Sequence, residues 1–311
     1  MAFYTIEPER RTLHGHFSHD LEPVLTIDPG DTVRFRTLDS GWGLEGPRPD
    51  GQKRQKFEPR TEDDDGHALC GPIFIRGAKP GMTLSVHVDD LRVGTYGWTG
   101  AGGWRTPLND RLNVSELPEF SLHWALNADQ MTAVDQYGHT VSLRPFMGVM
   151  GMPMDIPGKQ PTPPPRITGG NIDCKELIVG STLYLPIAVE GGLFSMGDGH
   201  ATQGDGEVSQ MAIECPMERC QLTFDLLPDM HLTTPRANTP AGWMTLAFHE
   251  DLDEAIGIAV DAMLNLMREL YGYERQMALA LASVVVDVRI TQLVNAGVRG
   301  VHALLPHDAI R

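Results

Sequence analysis

Val24-Leu25-Thr26-Ile27-Asp28-Pro29-Gly30-Asp31-Thr32-Val33-Arg34-Phe35 places one β-branched run before a Pro-Gly turn and a second run after it. β-branched side chains favour the pleated backbone, and Pro followed by Gly supplies the φ angles of a tight reversal. The stretch therefore reads as a β-hairpin. The same grammar returns at Pro72-Ile73-Phe74-Ile75, Lys79-Pro80-Gly81-Met82 and Thr83-Leu84-Ser85-Val86-His87-Val88. It returns a third time at Lys175-Glu176-Leu177-Ile178-Val179-Gly180 and Ser181-Thr182-Leu183-Tyr184-Leu185-Pro186. Three strand–turn–strand units predict a mainly β chain, a β-sandwich or a barrel. The units share turn chemistry more than sequence, so no true repeat is inferred.

Outward from these units the pattern changes in three places. Arg48 to Gly66 is polar and contains Asp63-Asp64-Asp65, read as a solvated loop, and Gly94 to Trp104 reads as a second, Gly-rich loop. Thr162-Pro163-Pro164-Pro165 reads as an extended internal linker. Near the C-terminus, Leu252, Ile256, Ala259, Val260, Met263, Leu264 and Met267 recur at helical spacing. Asp251 serves as N-cap, with Glu254 completing a capping-box-like signal, and the helix runs to Tyr271. A second helix is expected over Glu274 to Leu281 and a strand over Val284 to Val294. The organisation expected is an N-terminal β-rich part (1–165), a central β part (166–245) and a smaller C-terminal α+β part (246–311), together forming one catalytic unit.

Lys and Arg total 25 against 41 Asp and Glu, a net charge of −16. That balance argues against nucleic acid and against an anionic membrane surface, both of which need clustered cations. An uncharged or cationic small molecule is easier to admit. Met1 to Arg11 holds no apolar signal-peptide core, and no stretch reaches the roughly 18 apolar residues of a membrane span. Cys70, Cys174, Cys215 and Cys220 follow no disulfide or metal spacing. A cytoplasmic protein with reduced thiols is expected.

Chemistry concentrates in Gly197-Asp198-Gly199-His200-Ala201-Thr202-Gln203-Gly204-Asp205-Gly206-Glu207, which carries four glycines, three carboxylates and a histidine in eleven residues. Glycine lets the backbone turn sharply and a ligand approach closely. Asp198 and His200 share a face if the stretch is extended, and Asp205 and Glu207 repeat that spacing. A mixed His/carboxylate set suits a divalent transition metal, zinc being the commonest hydrolytic choice. A hairpin with exposed acids would look similar, so the motif alone leaves both readings open; it is not an EF-hand loop. Asp173 closes Gly169-Gly170-Asn171-Ile172-Asp173-Cys174 and is a second candidate. The histidines His14, His16, His19 and His67 form a third set, in which His16 and His19 read as surface or satisfied core residues.

Together these pieces resemble the acetamidase/formamidase family along most of the chain. The resemblance rests on Leu13-His14-Gly15, Pro23-Val24-Leu25-Thr26-Ile27, Gly30-Asp31-Thr32-Val33, Gly71-Pro72-Ile73, Gly77-Ala78-Lys79-Pro80-Gly81 and Gly170-Asn171-Ile172-Asp173. Its most specific part is the string from Gly197 to Glu207. It implies a β-rich fold of jelly-roll-like character with a smaller C-terminal α+β part, assembly as a homo-oligomer, and hydrolysis of short aliphatic amides to a carboxylate and ammonia. Against that resemblance Ser40 to Gly66 reads as individual to this chain, which leaves substrate identity open.

On that footing Asp173, Asp198 and His200 are expected to hold one divalent metal, zinc first and calcium or another divalent ion next, that activates water. Glu207 is assigned the proton transfer, Asp205 a supporting place in the turn, and His14 and His67 the roles of further ligand or oxyanion donor. A Cys174 nucleophile beside Asp173 and Lys175 is the thiol alternative; neither a GxSxG elbow nor a Ser-Ser-Lys segment is present. Urea- or guanidine-like C–N substrates and a non-catalytic metal-binding β-domain are the competing functions.

Overall fold

The Asp28–Asp31 turn forms, but its two strands join different sheets. Asp31 fixes the turn: its N–H donates to the Asp28 carbonyl (3.1 Å), and its carboxylate accepts from the Asp28 N–H (3.0 Å) and the Ala2 N–H (2.5 Å). Leu25–Ile27 then pairs in parallel with Leu69–Ile75, whereas Thr32–Phe35 pairs with Phe3–Ile6 and Met217–Leu227. The second unit behaves alike, because Leu69–Ile75 and Thr83–Val93 also belong to separate sheets. In the third, only Thr182–Pro186 is a strand. The expected hairpins are thus corrected to sheet-to-sheet corners. Turn chemistry dictates a reversal, and tertiary pairing decides which strand the reversed chain meets.

A computed structural model describes residues 1–48 and 52–311. It contains one nine-stranded sheet, one eleven-stranded sheet and a two-stranded ribbon, with no closed barrel among the described residues. The architecture is mainly β, as expected, with helices confined largely to the C-terminal part. The two large sheets share one apolar core: Val33, Phe35, Val86, Leu222 and Phe224 from the first meet Ile27, Ile73, Met150, Phe194 and Met196 from the second. Phe194 and Phe224 touch edge to face at 5.0 Å between ring centroids. The nine-stranded sheet takes strands from all three stretches of sequence, Phe3–Ile6, Thr182–Pro186 and Val298–Leu305 among them.

Leu252–Tyr271 is the long helix the apolar spacing predicts. Asp251 caps it by accepting from the Asp253 (2.8 Å) and Glu254 (3.3 Å) N–H groups. The reciprocal bond of a capping box is replaced: His249 Nδ1 accepts from the Asp251 N–H at 3.0 Å. Ala255, Ala259, Met263 and Met267 bury against Ala247, Val301 and Ala303 of the nine-stranded sheet. The second helix, Arg275–Val285, runs past the expected end, and the next strand starts at Asp287. Ala278 and Ala282 pack on the first helix, and that contact outweighs the β preference of Val284 and Val285, whereas Val286 is already extended.

Two further expectations are corrected. Tyr96–Ala101, inside the expected Gly-rich loop, is a strand paired with Phe120–Asn127. Thr162-Pro163-Pro164-Pro165 is no free linker: Thr162 is fully buried and the Pro163 carbonyl accepts from Asn171 Nδ2 at 3.1 Å. In the Ser40–Gly66 stretch, whose residues 49–51 lie outside the described ones, Asp64 is buried against Arg10 (2.6 Å). No helix among the described residues is long and apolar enough to cross a membrane.

His302, in Val298–Leu305, is wholly buried beside the Thr291 hydroxyl (2.8 Å), and burial pulls its pKa down to about 4. The unfolded chain then takes up a proton that the fold refuses. This contribution is intact above pH 6.5 and is lost as pH falls towards 4. Urea unfolding at pH 7 and pH 5 should differ by about 2 kcal/mol from this group alone, and His302→Gln should shrink the difference by that amount. An unchanged difference in the variant would show that His302 is not kept neutral.

Candidate functional site

The strand Phe194–His200 is the spine of the site. On one side it pairs with Phe146–Gly151, setting Phe146 opposite His200; on the other it pairs with Glu214–Cys215, setting Glu214 opposite His200. Glu214 in turn faces Trp98 of Tyr96–Ala101. Asp173 arrives just after Gly169–Asn171, which pairs with Phe146–Gly151. Glu207 arrives from the loop beyond His200, whose Gly206 bridges to Gln292.

These elements bring four carboxylates around one imidazole, all buried. His200 Nε2 lies 3.4 Å from both Asp198 Oδ1 and Glu214 Oε1. Its Nδ1 lies 3.0 Å from Gln203 Oε1, which can only accept; the N–H therefore sits on Nδ1, and Nε2 faces the acids. Gln203 also donates from Nε2 to the Asp173 carbonyl (2.8 Å), tying the two segments together. Asn295 Nδ2, from Asp287–Asn295, donates to Asp173 Oδ2. Phe146 meets the imidazole edge to face at 5.0 Å. Asp173, Asp198 and Glu207 all hold positive φ angles of 50°, 60° and 44°. Such conformations cost on the order of 1 kcal/mol each and persist where the surroundings impose them.

The electrostatics follow from burial. Desolvation raises the Asp173 carboxyl to about 6 and Glu214 to about 7, and it raises Glu207 well above the carboxylate range, with Asp173 adding to it. At Asp198 desolvation is outweighed by His200 and His67, which hold its carboxyl below the usual range. At His200 it is outweighed by Glu214 and Asp198, which hold the imidazole well above 6.5.

The donor set fits a divalent cation. Asp173 Oδ1, Asp198 Oδ1, Glu207 Oε2 and Glu214 Oε2 are buried without a hydrogen-bond partner. Uncompensated buried carboxylate is costly, and a cation at their focus supplies the missing counter-charge. Ligand atoms of Asp173, Asp198 and His200 lie within 4.8 Å of one another, as do those of His200, Glu207 and Glu214. Atoms about 2.0–2.6 Å from a shared ion can stand at most about twice that distance apart. Beneath the cluster, a Cβ on Gly148 would lie 2.6 Å from both Asp173 Oδ1 and Asp198 Oδ2.

The cluster opens into a cavity of about 260 Å³ lined by Asp173, Asp198, Glu207 and Glu214, with His67 and Trp98 in its wall. Its charged lining is thus acidic, with two aromatic rings in the wall. The imidazole of His67 has its Nε2 3.9 Å from Asp198 Oδ2.

Comparison with known proteins places this geometry. The Acetamidase/Formamidase family pattern matches residues 4–160 and 154–241. The chain belongs to the acetamidase/formamidase family. It is 27% identical over 252 residues to the formamidase of Methylophilus methylotrophus, an alignment covering 63% of this chain and 60% of that protein's length. Among solved structures it resembles an acetamidase of Yersinia enterocolitica, with TM-score 0.82 and 27% identity over 99% of this chain and 93% of the other. A recombinant predicted acetamidase/formamidase of Thermoanaerobacter tengcongensis shares the fold, with TM-score 0.86 and 24% identity over 98% and 96%.

Of the residues singled out from sequence, Asp173, Asp198, His200 and Glu207 come together, and His67 joins them in the cavity wall. His14 does not. Its Nδ1 faces the His16 carbonyl (2.6 Å) and its Nε2 the Ser195 hydroxyl (3.0 Å), and burial lowers it to about 4. Asp205 pairs with Lys175 at 2.9 Å, as a turn residue would. Cys174 is buried outside the cavity wall, and desolvation pushes its thiol up to about 12, unsuited to nucleophilic attack. All four cysteines are unbridged. Glu214, Gln203 and Asn295 went unread. Gln203 lies within the motif and could have been found; Glu214 is set by strand register and Asn295 by tertiary packing, neither of which has a local signal.

Gly148→Ala is expected to push Asp173 and Asp198 apart, at an overpacking cost of about 1–3 kcal/mol. Thermal melts with and without added zinc should show a lower Tm and no zinc-dependent gain. A variant that gains as much from zinc as the wild type would remove Gly148 from the architecture of the centre.

Proposed function

We propose that this protein hydrolyses the C–N bond of short aliphatic amides such as formamide and acetamide, releasing a carboxylate and ammonia. One observation carries the reading: four buried carboxylates, with unsatisfied oxygens, converge with His200 on a small cavity in a chain of the acetamidase/formamidase family. At about 260 Å³ the cavity is below the usual range for drug-sized ligands, which favours small acyl groups.

Asp173, Asp198 and His200 would hold the divalent ion, with Glu214 beside them. A bound ion, zinc for this His/carboxylate set, supplies positive charge that acidifies water and polarises a carbonyl. Gln203 keeps His200 Nε2 turned to the cluster, and Asn295 fixes the Asp173 carboxylate. Glu207 Oε2, buried and without a partner, takes a proton from water and hands it to the leaving nitrogen. At His67, Thr162 Oγ1 accepts from the backbone N–H (2.9 Å) and lies 2.7 Å from Nδ1. With the hydroxyl donating to Nδ1, the ring proton sits on Nε2, on the cavity side, and serves the developing oxyanion. Buried, unbridged thiols support a reducing, cytoplasmic setting. The exposed apolar side chains Met277, Leu279 and Val284 of Arg275–Val285 support assembly as a homo-oligomer.

Ammonia release from formamide and acetamide, measured with and without a chelator, tests the reading. Turnover should vanish on chelation and return with zinc, and Glu207→Gln should lower kcat by at least about 100-fold while the ion stays bound. Turnover that survives chelation would exclude the metal chemistry. An inert but zinc-stabilised protein would shift the function to another C–N substrate or to metal binding alone.

A further inference from the structure

We propose that a second cavity, adjoining the acid-lined one, is an anion subsite, and that the preferred substrates are linear amides bearing a carboxylate at the far end. The inference rests on the amidase reading above and narrows its substrate class. This cavity, about 420 Å³, is bounded by the short helix Pro107–Arg111 and by the turn joining Asp287–Asn295 to Val298–Leu305. Gln210, Val294 and Ala296 line both cavities, contributing to the wall of each where the two meet. Gln210 is pinned there: its Oε1 accepts from Trp104 Nε1, and its Nε2 donates to the Val294 carbonyl at 3.1 Å.

The two cavities carry opposite charge. Asp173, Asp198, Glu207 and Glu214 line the first. Arg105, Arg111 and Arg299 line the second, which has no carboxylate among its described lining residues. In a chain of net charge −16 such a grouping is not a sampling of the average surface. Arg105 is partly neutralised by Asp110 (3.7 Å) and Glu116 (3.2 Å). Arg111 and Arg299 have no ion-pair partner among the described residues, although one Arg299 nitrogen donates to the Gly297 carbonyl. Leu108, Leu293 and Val294 supply apolar surface between the cations and the shared wall. A substrate matching this layout has an amide head at the acidic cluster, a short methylene chain, and a carboxylate at the arginines. A terminal carboxylate would be repelled from the first cavity and held at the second, so the same charges enforce one binding direction.

The test compares glutaramate with uncharged butyramide on wild-type protein and on Arg111→Gln/Arg299→Gln. Neither arginine belongs to the acidic cluster, so formamide turnover reports basal activity. The wild type should favour glutaramate in kcat/KM by about tenfold or more, mainly through KM, with the preference shrinking as salt is raised. The double variant should lose that preference and keep its formamide rate. Equal rates on the two amides in the wild type, or a preference that survives the double substitution, would overturn the subsite. Calorimetric titration with glutaramate separates this from failure of the amidase reading. Should no amide be cleaved, glutaramate binding that disappears in the double variant would sustain the subsite, and absence of binding to the wild type would reject it.

Discussion

Everything in this protein turns on the burial of Asp173, Asp198, Glu207 and Glu214 around His200. Like charges this close repel, and desolvation adds to the cost, so no local preference would gather them. The two-sheet core provides the rigidity that does. Phe194–His200 is held by strands on both sides, and its Phe194 is locked into the core by Phe224. The same frame imposes left-handed backbone at three of the four acids. Strain and charge are concentrated at one place, which is the pattern of a preorganised site.

Support around the cluster comes from groups outside the cavity lining. Gln203 serves two masters, orienting His200 by one end and Asp173 by the other. Thr162 does the same for His67, using one hydroxyl to meet the backbone and the ring. The proline run that follows is stiff, and stiffness here keeps a cavity wall in place. The acids and the two aromatic rings thus share one cavity wall held from behind by these contacts.

Legibility in the sequence followed the range of the interaction involved. The long helix was readable because its cap and apolar stripe are local, and the Asp28–Asp31 turn for the same reason. What the turns joined was not readable, since pairing Thr32–Phe35 with Met217–Leu227 is a matter of residues far apart in the chain. Val284 and Val285 are helical against their intrinsic preference because helix–helix packing overrules it. In the site, Asp198, His200 and Glu207 stood in one glycine-rich string, whereas Glu214 depended on a register that only the folded sheet defines. His14 looked equivalent to His67 by composition; the Ser195 hydroxyl and the His16 carbonyl absorb both of its nitrogens and make it part of the frame.

Asn295 gives the C-terminal segment a meaning beyond its share of the core. The family pattern ends at residue 241, yet Val294, Asn295 and Ala296 complete the cavity, and Asn295 grips a candidate ligand's carboxylate. The acids and the wall that frames them therefore sit on portions of the chain far apart in sequence, so the cavity is complete only once the last two strands have docked beside the others.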